Sequence, residues 1–130
     1  DFGLAKKVHN LTFTLCGTPE YMAPEMFTGL GHDTAVDWWM VGIFTYELIV
    51  GKTPFAPSPN CADPDGATFM AISKGLQPSH YEGLGPSASN FVRRLLVQKA
   101  SRRLGNLKGK ASDIKADPFF KIVNCANQSC

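Results

Sequence analysis

The stretch TAVDWWMVGIFTYELIVG, residues 34 to 51, restricts the fold more than any other part of the chain. Val36, Trp38, Trp39, Met40, Val41, Ile43, Phe44, Leu48, Ile49 and Val50 fall on every side of a 3.6-residue period. A helix with no polar face has to be enclosed by protein. Thr34, with Asp37 three positions on, makes a capping-box-like start, and Gly51 supplies the stop. Glu47 sits inside this apolar helix, where an unpaired carboxylate is costly, so a basic partner is expected for it.

Enclosing such a helix takes most of a chain of 130 residues, which is long enough for one core of ordinary size. The remaining elements are short. A helix is expected from Pro19 to Phe27, stopped by Gly29 and Gly31. The four prolines of TPFAPSPNCADPDG mark a loop, after which a helix can run from about Ala67 to Lys74. Residues 78 to 85 form a connection. Pro86 or Ser87 then opens a helix whose stripe is Phe91, Val92, Leu95 and Leu96, with Arg93 and Arg94 facing water. A last helix over Ala111 to Ala116 ends at Pro118, and Phe119 with Phe120 docks on the body. With no alternating strand pattern, the fold class is mainly α.

Composition excludes several functions. A net charge of +2 argues for neither nucleic acid nor an anionic membrane, and the basic RRLGNLKGK lacks interleaved aromatics. The longest apolar run is far shorter than a membrane span. Cys16, Cys61, Cys125 and Cys130 lack the paired spacing of a zinc site and read as free thiols of a reducing compartment. His9, His32 and His80 are scattered and read as surface residues.

Sharper information lies in ordered motifs. Asp1-Phe2-Gly3 is followed by GTPEY at Gly17 to Tyr21 and by Ala23-Pro24-Glu25. Asp37 and Gly42 in DWWMVG, Pro54-Phe55, and Arg103 in RRLGN come later in the chain. This order resembles the eukaryotic protein kinases from the activation segment onward, over nearly the whole chain to about Phe120. TFTLCGTPEYMAPE, AVDWW and RRLGNLK look most like the AGC group of serine/threonine kinases, in particular the cyclic-nucleotide-dependent ones. AVDWW suits the cyclic-AMP branch, whereas ISKG and RRLGNLK also suit the cyclic-GMP branch.

The resemblance implies roles for individual residues. Asp1 matches the carboxylate that holds the magnesium bridging the ATP phosphates, and Gly3 permits the turn that aims it. Thr14 matches the phosphorylation site of the activation loop, with Thr12 competing, and Lys6 matches the basic residue that pairs with the phosphate. Thr18 matches the hydroxyl that touches the catalytic aspartate and lysine. Leu15, Pro19 and Met22 match the apolar pocket for the substrate residue after the acceptor. For Glu47 the implied partner is a substrate arginine two residues before the acceptor; an ion pair within the chain is the alternative. Glu20 either adds to that acidic surface or is solvated. Glu25 and Arg103 match the pair that ties the activation segment to later helices. Asp37 matches a carboxylate accepting backbone hydrogen bonds from the catalytic loop.

The glycine-rich loop, strand lysine and HRD loop of such kinases precede the DFG motif, and none occurs in this sequence. Residues 1–120 are therefore expected to be part of a kinase catalytic domain, with 1–25 the activation segment and 26–120 large-lobe helices. Residues 121–130 match nothing in the family. The intact enzyme would use ATP and magnesium and act on protein substrates with basic residues before the acceptor. It would have a cyclic-nucleotide-binding regulatory domain or subunit and a cytoplasmic or nuclear location. The isolated chain is expected to be inactive. A non-catalytic, pseudokinase-like interaction module is the alternative.

Overall fold

In the computed structural model, residues 19–27 and 34–120 are described. Among them the secondary structure is helical, with no strand. Four α-helices follow one another: α1 (Ala35–Val50), α2 (Pro64–Lys74), α3 (Pro86–Leu95) and α4 (Ala111–Lys115). Short 3-10 turns occupy Pro19–Tyr21, Pro24–Phe27, Pro78–Tyr81 and Ala100–Arg102.

α1 is the axis of the fold. Trp39 and Ile43 are fully buried, with Ala35, Val36, Gly42 and Tyr46 beside them. Gly51 stops the helix in a left-handed conformation at φ 96°, its N–H donating to the Glu47 carbonyl at 2.8 Å. The start differs from the capping-box expectation. Thr34 already has helical angles and its side chain makes no capping bond, so its carbonyl rather than its hydroxyl serves the first turn. Enclosure is also one-sided: Phe44 is 49% exposed, Leu48 86% and Ile49 42%.

α3 packs across α1 at Gly42. A β-carbon there would lie 2.8 Å from Leu96 Cδ2 and 2.9 Å from Leu95 Cβ, so the missing side chain is what lets the helices meet. Two clusters result. One surrounds Trp39, Ile43, Phe55, Ile72 and Val92, and takes in Met22, Ala23 and Met26 from the first turns. The other joins Phe91, Leu95, Leu104 and Ile114, with Trp38, Phe119 and Phe120 packed on it. Phe119 stacks on Phe91 at 4.9 Å between centroids, as the expected docking requires.

Several local expectations are corrected. The segment 19–27 is two separate 3-10 turns, because Pro24 disfavours helical angles at Ala23 and breaks the run. α2 begins at Pro64 rather than Ala67: the Asp63 carboxylate accepts from the Gly66 N–H at 3.1 Å and Pro64 suits a first helical position. Arg93 faces water, but Arg94 pairs with buried Asp117 at 2.9 Å. His80 is half-buried, its Nδ1 accepting from the Gln77 N–H and its ring edge-on to Tyr46 and Phe55.

Candidate functional site

Two carboxylates converge beside the Pro19–Tyr21 turn. Glu47 rides near the C-terminal end of α1, one turn beyond Phe44. Tyr21 lies against this face: its ring is 5.2 Å from that of Phe44, and its hydroxyl donates to Glu47 Oε1 at 2.7 Å. Glu20, the preceding residue, accepts a hydrogen bond from the hydroxyl of buried Thr53, just beyond the Gly51 stop. The turn and the end of α1 thus hold both acids half-buried, each with one neutral donor.

The electrostatics register both charges. The Tyr21 hydroxyl is pushed up from 10.0 to about 12, first by its hydrogen bond to Glu47, then by burial and by the negative charges of Glu47 and Glu20. Among the described residues no lysine or arginine forms an ion pair with either carboxylate; the ion pairs there are Arg94–Asp117 and Arg103–Glu25. The basic partner expected for Glu47 is therefore not supplied by this part of the chain. A cation brought by a ligand would find two partly desolvated carboxylates, where charge-assisted hydrogen bonds are stronger than neutral ones.

Arg103 organises the other side. Its guanidinium is completely buried and meets both oxygens of Glu25, at 2.8 and 3.0 Å. It also donates to the carbonyls of Ala35 and Val97, and lies 5.1 Å over the Trp39 ring. The Pro24–Phe27 turn is in this way tied to the start of α1 and to the segment after α3.

The remaining candidates are distributed as follows. Met22 is buried in the main cluster and Pro19 is half-buried beside Glu20. Asp37 is exposed in the first turn of α1. Asp1, Gly3, Lys6, Thr14, Leu15 and Thr18 lie outside the described residues, as do Thr12, His9, His32, Cys16, Cys125 and Cys130. Among the described residues no group of three or more His, Cys, Asp or Glu could hold a metal ion. Cys61 is a free thiol, and no described helix is long and apolar enough to cross a membrane. Tyr21 and Thr53, which hold the two carboxylates, carry no local pattern that distinguishes them from packing residues; only the place of Tyr21 in GTPEY marks it.

Residues 1–120 match the family model of the protein kinase domain, and the chain belongs to that family. The cyclic-AMP-dependent protein kinase catalytic subunit 3 of Drosophila melanogaster is 41% identical over 124 residues, which cover 95% of this chain and 20% of the fly protein. The cyclic-AMP-dependent catalytic subunit of Dictyostelium discoideum is 42% identical over 126 residues, 95% of this chain and 18% of its own length. The human cyclic-AMP-dependent catalytic subunit PRKX is 40% identical over 125 residues, 95% of this chain and 33% of its own length. The chain thus spans between about a fifth and a third of these curated relatives.

Proposed function

We propose that this chain is the large-lobe portion, from activation segment to the later helices, of a serine/threonine kinase that phosphorylates proteins in basic sequence contexts. The observation that carries the reading is the pair Glu20 and Glu47, oriented by Thr53 and Tyr21 and without a cationic partner among the described residues. A substrate arginine two residues before the acceptor is the partner that completes it. The relatives' names favour the cyclic-AMP-dependent branch and, with it, regulation by a cyclic-nucleotide-binding domain or subunit.

The other roles follow the family pattern. Asp1 holds the magnesium that accompanies ATP, with Gly3 shaping its turn. Thr18 steadies the acceptor side, and Leu15, Pro19 and Met22 receive the residue after the acceptor. Phosphate on Thr14, met by Lys6, orders the loop. Arg103 and Glu25 anchor that loop to the helices, and Asp37 orients backbone of the catalytic loop. The 130-residue chain alone does not turn over substrate, because the ATP-covering and base-supplying motifs are not in its sequence.

The test is a peptide phosphorylation assay on the full-length gene product. A serine peptide with arginine two positions before the acceptor should exceed its alanine counterpart in kcat/KM by about ten- to a hundredfold, the worth of a hydrogen bond to a charged group. Glu47→Gln should shrink that ratio several-fold. Equal rates for the two peptides would overturn the reading.

A further inference from the structure

Positive charge is concentrated in one stretch. Residues 93 to 115 hold eight of the chain's 13 lysines and arginines and one of its 11 acidic residues, Asp113. Arg103 is consumed by Glu25 and Arg94 by Asp117, leaving Arg93, Lys99, Arg102, Lys108, Lys110 and Lys115 exposed and, among the described residues, without ion pairs. Within this stretch Ser112 is exposed, with Lys110 two positions and Lys108 four positions before it.

The backbone there is poised to open. Lys110 has φ 51° and ψ −135°, the single non-glycine positive φ among the described residues, and such conformations store about 1–3 kcal/mol. Ser112 lies in α4, a five-residue helix, too short to be stable by itself. The Ser112 N–H donates to Gly109 and the Asp113 N–H to Lys110, each at 3.1 Å, so unwinding this turn breaks few bonds and releases the strain at Lys110.

We infer that Ser112 is a phosphoacceptor, modified by a second copy of the enzyme that carries this chain. The inference rests on the proposed function above, because it places Lys110 against the Glu20 and Glu47 pair in the register proposed for a substrate cation. Ile114, two residues on, is buried against the Phe91–Leu95 cluster. Two residues span at most about 7 Å, and Tyr21, which holds Glu47, packs on the other cluster, so Ser112 is presented to the acidic pair of another copy rather than its own. In the reaction Ser112 Oγ bonds to the γ-phosphorus of ATP. The bond from that phosphorus to the β,γ-bridging oxygen breaks, ADP leaves with the electron pair, and the hydroxyl proton passes to solvent. The phosphate then adds negative charge to a segment that carries Lys108, Lys110 and Lys115 within four residues of Ser112.

The experiment mixes full-length enzyme, magnesium-ATP and a tagged full-length acceptor copy carrying Asp1→Ala, with a serine reference peptide containing arginine two residues before the acceptor. Phosphate is mapped by mass spectrometry. The expected result is phosphate at Ser112 of the tagged copy, absent in Ser112→Ala and about tenfold slower in Lys110→Ala. Labelling of the reference peptide without Ser112 overturns the inference while leaving the proposed function standing. So does labelling of Ser101, which has Lys99 at the same offset but precedes buried Arg103, in place of Ser112. A Lys110→Ala copy labelled as fast as its parent also overturns it. If neither peptide nor acceptor is labelled, the proposed function fails and the inference falls with it.

Discussion

Arg103 meets Glu25 across 78 positions of sequence through two parallel hydrogen bonds of 2.8 and 3.0 Å. The guanidinium is fully buried and also serves the carbonyls of Ala35, Val97 and Gln98. Removing it takes the bidentate donor from a partly desolvated carboxylate and leaves several backbone acceptors without their guanidinium partner at once. Arg103→Ala should cost about 3–5 kcal/mol, and Arg103→Lys should recover only part because an ammonium cannot present the planar fork. Urea denaturation of the full-length protein measures this; a loss under about 1 kcal/mol for Arg103→Ala would contradict the assignment.

Gly42 gives a case in which two effects oppose. Alanine gains about 1 kcal/mol of helix propensity over glycine. Its β-carbon, however, would stand 2.8 Å from Leu96 Cδ2 and 2.9 Å from Leu95 Cβ, and overpacking of a tight core costs about 1–3 kcal/mol. Gly42→Ala should therefore destabilise, by up to about 2 kcal/mol, in thermal or urea melts. A stabilised variant would mean that α1 and α3 are farther apart than described.

The Tyr21–Glu47 contact has a pH consequence. The Tyr21 hydroxyl is raised in the fold from 10.0 to about 12, chiefly by Glu47, so the fold favours its neutral form. Its contribution to stability is complete below pH 10, and is lost as pH climbs through the window from 10 to about 12. In Glu47→Gln the Tyr21 midpoint should move back toward 10. Tyrosine-ring NMR resolves Tyr21 from Tyr46 and Tyr81, both also raised by burial; an unmoved midpoint would exclude Glu47 as the main cause.

Phe44 and Leu48 leave apolar surface open on α1. The 130-residue chain by itself should self-associate and bind a hydrophobic dye, and Leu48→Glu should reduce both without lowering helix content. Light scattering and dye fluorescence report the outcome. A parent chain that stays monomeric and melts sharply would show that this surface is not sticky.

Asp63 caps α2 through its bond to the Gly66 N–H. Asp63→Ala should cost about 1 kcal/mol in chemical denaturation, with Asp63→Asn close to the parent. Equal losses for both would assign the effect to charge rather than to the cap.

The chain's own letters determined a good deal. The ordered landmarks from Asp1 to Arg103 were sufficient to recognise a protein kinase, because phosphoryl transfer needs particular groups at spacings that chance does not reproduce. The apolar run of α1, the stop at Gly51 and the docking of Phe119 and Phe120 were also legible, since periodicity and turn chemistry act over a few residues. Tertiary structure alone decided the rest. Arg94 looked solvent-facing until the chain after α4 brought Asp117 to it, and His80 looked like a surface residue until Tyr46 and Phe55 closed over it. The enclosure expected of α1 proved one-sided, which no local pattern encodes. Glu47 demanded a partner from its burial, but which group answered depended on how α1 meets the Pro19–Tyr21 turn, and Tyr21 answered with a neutral hydroxyl. Helix periods and caps are set by neighbours in sequence, whereas pairings between distant side chains are set by where helices cross.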